Sequence, residues 1–256
     1  MTFPSRNVLL LDKPPMRCLV VIPAYNEEEA LPKTLATLES LPEYFEILVV
    51  NDGSRDRTRD VAETAARISK HAIHVATLPI NSGIGVAVQT GYVFASKTGT
   101  YQYVLQFDAD GQHDVSSLTR LVEECEQKQL DLCIGSRFIE GVGFQSSFQR
   151  RLGIRFFAWI IWLLSGAHVT DPTSGLRCAG PKVWQRFAKH YPEDFPEPES
   201  LFWCARNRLK IGEIPVIMHE RQGGVSSLQS SWKPLYYMIK VTMAIFLDRL
   251  RRTEKA

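Results

Sequence analysis

The sequence predicts an α/β fold with a mostly parallel sheet, and three observations predict it. Short runs rich in Val, Ile and Leu alternate with helical segments of about ten to fifteen residues, the pattern of βαβ units. The runs are apolar at successive positions rather than at every second one, as expected of parallel strands covered on both faces. Each of the first five ends in a polar or glycine-bearing cluster, and in a parallel sheet such clusters share the edge where ligands of open α/β sheets bind.

The elements follow in order. Cys18 to Ile22 is the first strand, and Pro23 is expected to stop it. Ala24 to Glu29 then open a helix, with Asn26 as its N-cap and acidic residues in its first turn. Glu46 to Asn51 forms the second strand and ends in Asp52-Gly53-Ser54, a turn leading into a helix over 56–70. His74 to Leu78 is the third strand, and Asn81-Ser82-Gly83-Ile84-Gly85 leads into a helix that reaches Lys97. Tyr103 to Phe107 delivers Asp108-Ala109-Asp110-Gly111-Gln112 to the sheet edge before a helix over 115–128, capped by Asp114 or Ser116. Asp131 to Gly135 gives the fifth strand, ending at Ser136-Arg137.

With 256 residues and 45% apolar content the chain has enough material for a full core. No linker-like composition divides it, so the reading is one catalytic domain over 17–230, a flexible leader over 1–16 and an amphipathic C-terminal helix over 231–256. Thirty Lys and Arg against 28 Asp and Glu leave no overall signature of nucleic-acid binding. The C-terminal stretch from Arg221 onward is locally basic, with seven basic residues against two acidic ones. Five scattered cysteines without a CxxC read as small core residues in a reducing compartment. Val8 to Leu11 is too short for a signal-peptide core, and no run reaches the roughly 18 apolar residues of a spanning helix.

The chemistry is concentrated at the strand ends. Asp108 and Asp110 lie two apart, so a continuing strand would project both from one face, and the turn at Gly111 brings in Gln112. Hard oxygen ligands this close suit Mg²⁺ or Mn²⁺ held jointly with substrate phosphates; the plain alternative is a polar strand end leading into a helix. Asp52 is placed to accept hydrogen bonds from a nucleotide, or to serve an ordinary Asp-Gly turn. The Asn81 to Gly85 loop resembles a phosphate cradle but lacks the lysine of a Walker A and the full GxGxxG spacing; a packing role for its glycines is equally open. Arg137, Arg150, Arg151 and Arg155 precede or begin the most apolar segment, and their planar forks suit a phosphate.

Six motifs, from Val21-Ile22-Pro23-Ala24-Tyr25-Asn26-Glu27 through Val50-Asn51-Asp52-Gly53-Ser54, Asn81 to Gly85, Asp108 to His113 and Gly135-Ser136-Arg137 to Asp171-Pro172-Thr173-Ser174-Gly175-Leu176-Arg177, occur in the order seen in family 2 inverting glycosyltransferases. They most resemble the branch that contains polyprenyl-phosphate and dolichyl-phosphate mannosyl- and glucosyltransferases, over residues 17–250. That resemblance implies a Rossmann-like GT-A fold and a metal-dependent enzyme. It implies donor-side roles for Pro23, Ala24, Tyr25, Glu27, Asp52 and Gly83, with Asp108 beside the sugar and ribose. Asp110 and Gln112 would hold the divalent metal, and Asp171 and Arg177 would flank the active site. Arg137, Arg151 and Ser174 would receive the acceptor phosphate, and Arg221 in a glycine-rich loop would close on the diphosphate. Ile84 stands where many dolichyl-phosphate mannosyltransferases carry lysine, which leaves both UDP- and GDP-linked donors open.

The reaction so implied is transfer of a sugar from a nucleotide diphosphate to a polyprenyl phosphate by a peripheral protein on the cytoplasmic face of the membrane. A phosphate monoester is already an anion near neutrality and needs no catalytic base. The alternative, a sugar hydroxyl acceptor in glycan synthesis, would need one, with Glu197, Glu199 or Asp171 as candidates. Ile154 to Leu164 extends roughly 17 Å, too short for a hydrocarbon core of about 30 Å, so it is a core or interfacial helix. In 235–250, Tyr236, Ile239, Met243, Phe246 and Leu250 share one helical stripe, which either packs on the domain or docks on anionic lipid.

Overall fold

The computed structural model describes residues 16–141, 148–218 and 233–250. The leader before residue 16 and Arg221 with its glycine-rich loop lie outside the described residues. Seven strands, β1 (Cys18–Ala24), β2 (Phe45–Asn51), β3 (Ile73–Thr77), β4 (Tyr103–Gln106), β5 (Leu132–Ser136), β6 (Arg177–Ala179) and β7 (Ile211–Pro215), form one sheet in the order β3-β2-β1-β4-β6-β5-β7. The helices are α1 (Leu31–Leu38), α2 (Thr58–Ile68), α3 (Ile84–Thr98), α4 (Ser116–Lys128), α5 (Phe148–Ser165), α6 (Pro181–Lys189), α7 (Pro196–Arg206) and α8 (Lys233–Leu250).

All pairings are parallel except those of β6, which runs antiparallel to β4 and β5. Two reversals restore the original direction, so the C-terminal ends of β1 to β5 do share one edge. The first residue of β6, Arg177, stands on that edge opposite Gln106 and Ile134.

Every residue of β1 is buried because the sheet is covered on both faces. Val20 and Ile22 pack with Leu31 and Leu35 of α1 and Leu118 and Val122 of α4. Leu19 and Val21 face the other way, into a core with Val88 and Tyr92 of α3, Val183 of α6, Phe202 of α7 and Val241 of α8. All five cysteines are free and buried in these cores. Burial pushes the Cys18 and Cys204 thiols well above the ordinary range, as expected of inert core residues.

Several expectations change. Pro23 does not stop β1 but pairs within it, opposite Val50. The Val21 carbonyl accepts from Phe107 N–H while the Ala24 carbonyl accepts from Asp52 N–H, so Pro23 faces the β4 side, where pairing has ended at Val21 and no N–H is required. The first helix begins at Leu31, not within 24–29, and Asn26 is not its cap but adopts φ +54°. The second starts at Thr58, two residues later than expected, because Asp56 Oδ1 accepts the Thr58 N–H. Strands β6 and β7 and helix α6 were not anticipated; β6 has three residues, too few for a periodic signal.

Helices α5 and α8 each present two apolar faces. Inward, Phe157 of α5 meets Tyr237 of α8, ring centroids 5.1 Å apart, and Val241 and Ile245 are buried. Outward, α5 exposes Leu152, Trp159, Trp162 and Leu163, and α8 exposes Tyr236, Ile239, Met243, Phe246 and Leu250. The stripe read from the sequence is therefore the solvent-facing one. No helix among the described residues is long and apolar enough to cross a membrane.

Candidate active site

The loops after β1 and β2 are fastened to each other. Asn26 N–H donates to Ser54 Oγ (3.0 Å), and Asn26 Oδ1 accepts from Arg55 N–H (2.9 Å). Glu27 N–H reaches Thr58 Oγ1 at 2.8 Å, and Glu28 N–H reaches Asp56 at 3.1 Å. The left-handed backbone at Asn26, which a short amide side chain tolerates, turns the chain so that these bonds form. Tyr25 is left 40% exposed at the tip, while Pro23 and Ala24 are buried beneath it.

Asp52 is buried, and both its carboxylate oxygens accept loop amides, Ser82 N–H at 2.7 Å and Gly83 N–H at 2.9 Å. Gly85 N–H in turn donates to the Glu193 carbonyl at 3.1 Å. A Cβ on Gly85 would lie 2.1 Å from that oxygen, so only glycine permits this approach. The cradle reading of Asn81 to Gly85 is therefore corrected: the amides of Ser82, Gly83 and Gly85 are all bonded within the protein. Asp52 therefore acts as a clamp on this loop.

Strand β4 ends at Gln106, so Asp108 and Asp110 leave on a turn rather than along one strand face. Thr34 of α1 donates its hydroxyl to the Ala109 carbonyl at 2.7 Å, pinning the backbone between the two aspartates. Gln112 N–H donates to Asp110 Oδ1 at 3.1 Å, closing the turn around a nearly buried carboxylate. The Asp108 carboxylate lies over Gly175, where a Cβ would approach its oxygens to 3.1 and 3.3 Å. His113, buried beside them, has Nε2 3.7 Å from Asp108 Oδ2, and its backbone forms an isolated bridge with Met218. No group of three or more His, Cys, Asp or Glu side chains among the described residues forms a ready metal cage. Two carboxylates and an amide oxygen fit a hard cation that completes its shell with substrate phosphates and water.

Arg137, expected to offer its fork to a phosphate, instead gives it to Asp171. Nε lies 2.6 Å from Oδ2 and Nη2 2.7 Å from Oδ1, with Nη2 also 2.9 Å from Thr173 Oγ1 and both side chains buried. The Asp171 loop is held from behind by Glu213 of β7, which accepts the Thr170 and Asp171 amides. Arg177 is similarly engaged: Nε donates to the Ser174 carbonyl (2.7 Å), Nη2 to the Pro172 carbonyl (3.2 Å) and Nη1 to Ser200 Oγ (2.9 Å). Ser174, expected at the acceptor phosphate, is buried within this loop. These two arginines thus build the loop that carries Gly175 to Asp108. Arg151 is half-buried near the start of α5.

Glu197, in the first turn of α7, belongs to the same assembly. Its carbonyl accepts from the Ser200 hydroxyl that Arg177 also bonds. Burial pushes its carboxyl above the ordinary glutamate range, opposed by Arg177 and reinforced by the charge of Asp108. Burial likewise raises the Tyr237 hydroxyl, with Glu197 adding and Arg150 and Arg177 opposing. The sequence singled out Glu197 without fixing its role. It gave no role to Gln106, Glu213 or Ser200, whose positions come from strand pairing and from the β6 reversal.

A doubly covered sheet with an Asp-x-Asp turn at its carboxyl edge, beside a clamped glycine loop, is the arrangement expected of a GT-A fold. Comparison with known proteins narrows the class. The family model described as glycosyl transferase family 2 matches residues 19–188, and the chain belongs to that family. It is 30% identical over 229 residues to polyprenol monophosphomannose synthase of Mycolicibacterium smegmatis, covering 86% of this chain and 83% of the relative. It is 31% identical over 218 residues to undecaprenyl-phosphate mannosyltransferase of Micrococcus luteus, with 83% and 88% covered. Human dolichyl-phosphate beta-glucosyltransferase is 30% identical over 269 residues, with 98% and 79% covered. The fold is also that of glucosyl-3-phosphoglycerate synthase from Mycobacterium tuberculosis, crystallised with Mn²⁺ and UDP, at TM-score 0.67 and 18% identity over 94% of this chain and 82% of that one.

Proposed function

We propose that this protein is an inverting transferase that moves a sugar from a nucleotide diphosphate to a polyprenyl phosphate on the cytoplasmic face of a membrane. The observation that carries the reading is the Asp108 to Asp110 turn, pinned by Thr34 and seated against Gly175, on the edge that also bears the Asp52 clamp. The family relatives carry the names of polyprenol monophosphomannose, undecaprenyl-phosphate and dolichyl-phosphate sugar transfer, and we take the donor to be UDP- or GDP-linked.

Pro23, Ala24, Tyr25, Glu27 and Asp52 line the nucleoside side, where the exposed Tyr25 ring offers a stacking surface and Gly83 keeps the neighbouring loop in place. Asp108 faces the sugar. Asp110 and Gln112, with Asp108 beside them, would hold Mg²⁺ or Mn²⁺, whose chemistry is to neutralise charge on the departing diphosphate. Arg137, Asp171 and Arg177 fix the opposing loop so that Asp108 meets the sugar without reorganising. Arg151 near the start of α5 and Arg221 remain the proposed phosphate contacts. The acceptor phosphate oxygen attacks the anomeric carbon in line, and being already anionic it needs no base.

The outward stripes of α5 and α8 suit a peripheral seat on lipid, with Trp159 and Trp162 at interfacial depth and exposed Arg155 and Arg249 as cationic flanks.

The test is product analysis with labelled nucleotide sugars and native lipid extract. A butanol-soluble, acid-labile lipid-phosphate sugar, lost on adding EDTA and in Asp110→Ala, is expected. Label found only in glycan would favour a hydroxyl acceptor, and unchanged metal-dependent nucleotide affinity in Asp110→Ala would remove the metal assignment.

A further inference from the structure

We propose that His113 is a positioning residue for Asp108: its neutral imidazole, with the proton on Nε2, holds the Asp108 carboxylate in the orientation that meets the transferred sugar. The proposal rests on the transferase reading and adds to it a residue that acts through Asp108 rather than on the substrate.

Three observations carry it. The first is distance. His113 Nε2 lies 3.7 Å from Asp108 Oδ2, roughly 0.8 Å beyond an ordinary N–H···O bond. A small rotation of the carboxylate closes that gap, and hydrogen bonds at active sites are often long before the substrate is seated. The second is unused capacity. The His113 side chain is 3% exposed, and neither Nδ1 nor Nε2 has a hydrogen-bond partner among the described residues. A buried imidazole left unmatched costs stability, and such groups are found where a role offsets that cost.

The third is rigidity on one side of the gap only. The backbone of His113 forms a bridge with Met218, whose Sδ accepts from Arg137 Nη1 at 3.8 Å. Thr34 pins the Ala109 carbonyl at 2.7 Å, and Gln112 N–H closes onto Asp110 Oδ1 at 3.1 Å. The imidazole is therefore carried by fixed backbone, with the Phe107 ring beside it at 6.0 Å between centroids. Asp108 has the greater freedom to turn: its side chain is 31% exposed, and Gly175, lacking a Cβ, leaves room beside its oxygens.

Geometry selects the role. Both ring nitrogens of His113 are closed to solvent, so neither reaches a substrate in the cleft, and the imidazole is not the base of the reaction. An N–H directed at a carboxylate attracts it, whereas a bare ring lone pair would repel it, which fixes the tautomer as Nε2–H. The ring neither gains nor loses a proton in this role.

The experiment compares wild type with His113→Gln, which keeps an N–H donor near the Nε2 position, and His113→Met, which fills similar space without one. Turnover is measured with UDP-glucose and GDP-mannose on a polyprenyl phosphate, and calorimetry measures binding of free UDP and GDP, all with Mg²⁺. His113→Met should lower kcat by about 10- to 100-fold, the usual loss when a group supporting a site carboxylate is removed. Its affinity for the free diphosphate should move less than about twofold, because the lost contact serves the sugar. His113→Gln should recover most of the kcat.

Nuclear magnetic resonance of wild type carrying isotope-labelled histidine supplies a reading independent of turnover. The His113 ring, assigned by its absence in His113→Gln, should be the neutral Nε2–H tautomer, and its N–H proton should move downfield when nucleotide sugar and Mg²⁺ are added. Unchanged kcat in His113→Met, a His113→Gln variant as slow as His113→Met, or an equal loss of free-diphosphate affinity overturns the proposal. So does a proton on Nδ1 in place of Nε2. Should His113→Met fail to fold, the tautomer and the downfield shift decide alone. Failure of wild type to bind either nucleotide sugar would instead defeat the transferase reading on which the proposal stands.

Discussion

The Arg137 guanidinium and the Asp171 carboxylate meet at two points, Nε to Oδ2 at 2.6 Å and Nη2 to Oδ1 at 2.7 Å, with Arg137 4% and Asp171 0% exposed as side chains. A fork so fully engaged orders the loop between β5 and β6 instead of reaching for a substrate. Glu213 supports the same loop from β7 by accepting the amides of Thr170 and Asp171.

Removing one member of this pair strands the other as an uncompensated buried charge. Arg137→Met is expected to destabilise the protein by about 3–5 kcal/mol, with most of the loss recovered when Asp171→Leu is added. Urea denaturation of the single and double variants measures both quantities, and an unshifted midpoint in the single variant would contradict the buried pair.

Gly175→Ala places a methyl group 2.9 Å from Gln106 Nε2 and 3.1 Å from Asp108 Oδ2. Both neighbours are side-chain ends that can shift by tenths of an ångström, so stability should fall by no more than about 1–3 kcal/mol. Catalysis should suffer more, because a carboxylate displaced by that much no longer meets the sugar: kcat/KM is expected to drop by about 100-fold. Steady-state kinetics beside a thermal melt separates the two effects.

Trp159 and Phe246 are 52% and 53% exposed, so their replacement by glutamate touches no core. The stability change should stay within about 0.5 kcal/mol. Sedimentation with vesicles containing phosphatidylglycerol should instead show at least about tenfold weaker binding for each variant, from the loss of roughly 1.5–3 kcal/mol of apolar burial. Wild-type binding retained by both variants would remove α5 and α8 as the membrane contact.

Glu197 makes stability depend on pH in a direction fixed by its shift. Burial raises its carboxyl in the folded protein above the unfolded value, so the folded state holds the proton more tightly. Stability is then lost as pH rises from the ordinary glutamate range through the folded value, and levels off above it. Glu197→Gln removes this loss, so the variant should be the more stable protein at neutral pH, with the difference shrinking to nothing below the ordinary glutamate range. Denaturation midpoints across that interval test the sign.

Much of the sheet edge that carries the candidate site was legible in the sequence because its residues sit in contiguous motifs at strand ends. The positions of β1 to β5 followed from runs of β-branched residues, and the Asp-x-Asp turn from its place after Tyr103 to Phe107. Residues placed by pairing between distant segments were not legible. Gln106 reads as an ordinary strand residue until β6 is laid antiparallel beside it, and Glu213 reads as a surface charge until β7 brings it under Thr170.

The sequence by itself determined that strands and helices alternate, that polar clusters close the strands, and that α8 carries an apolar stripe, because these depend on local periodicity. Only the tertiary structure decided which stripe faces out, that Arg137 turns to Asp171 rather than to solvent, and that Glu197 joins Asp108 and Arg177 at one edge. Periodicity describes a segment relative to its own axis, whereas burial, ion pairing and a carboxyl's proton affinity are set by what packs against it from elsewhere in the chain.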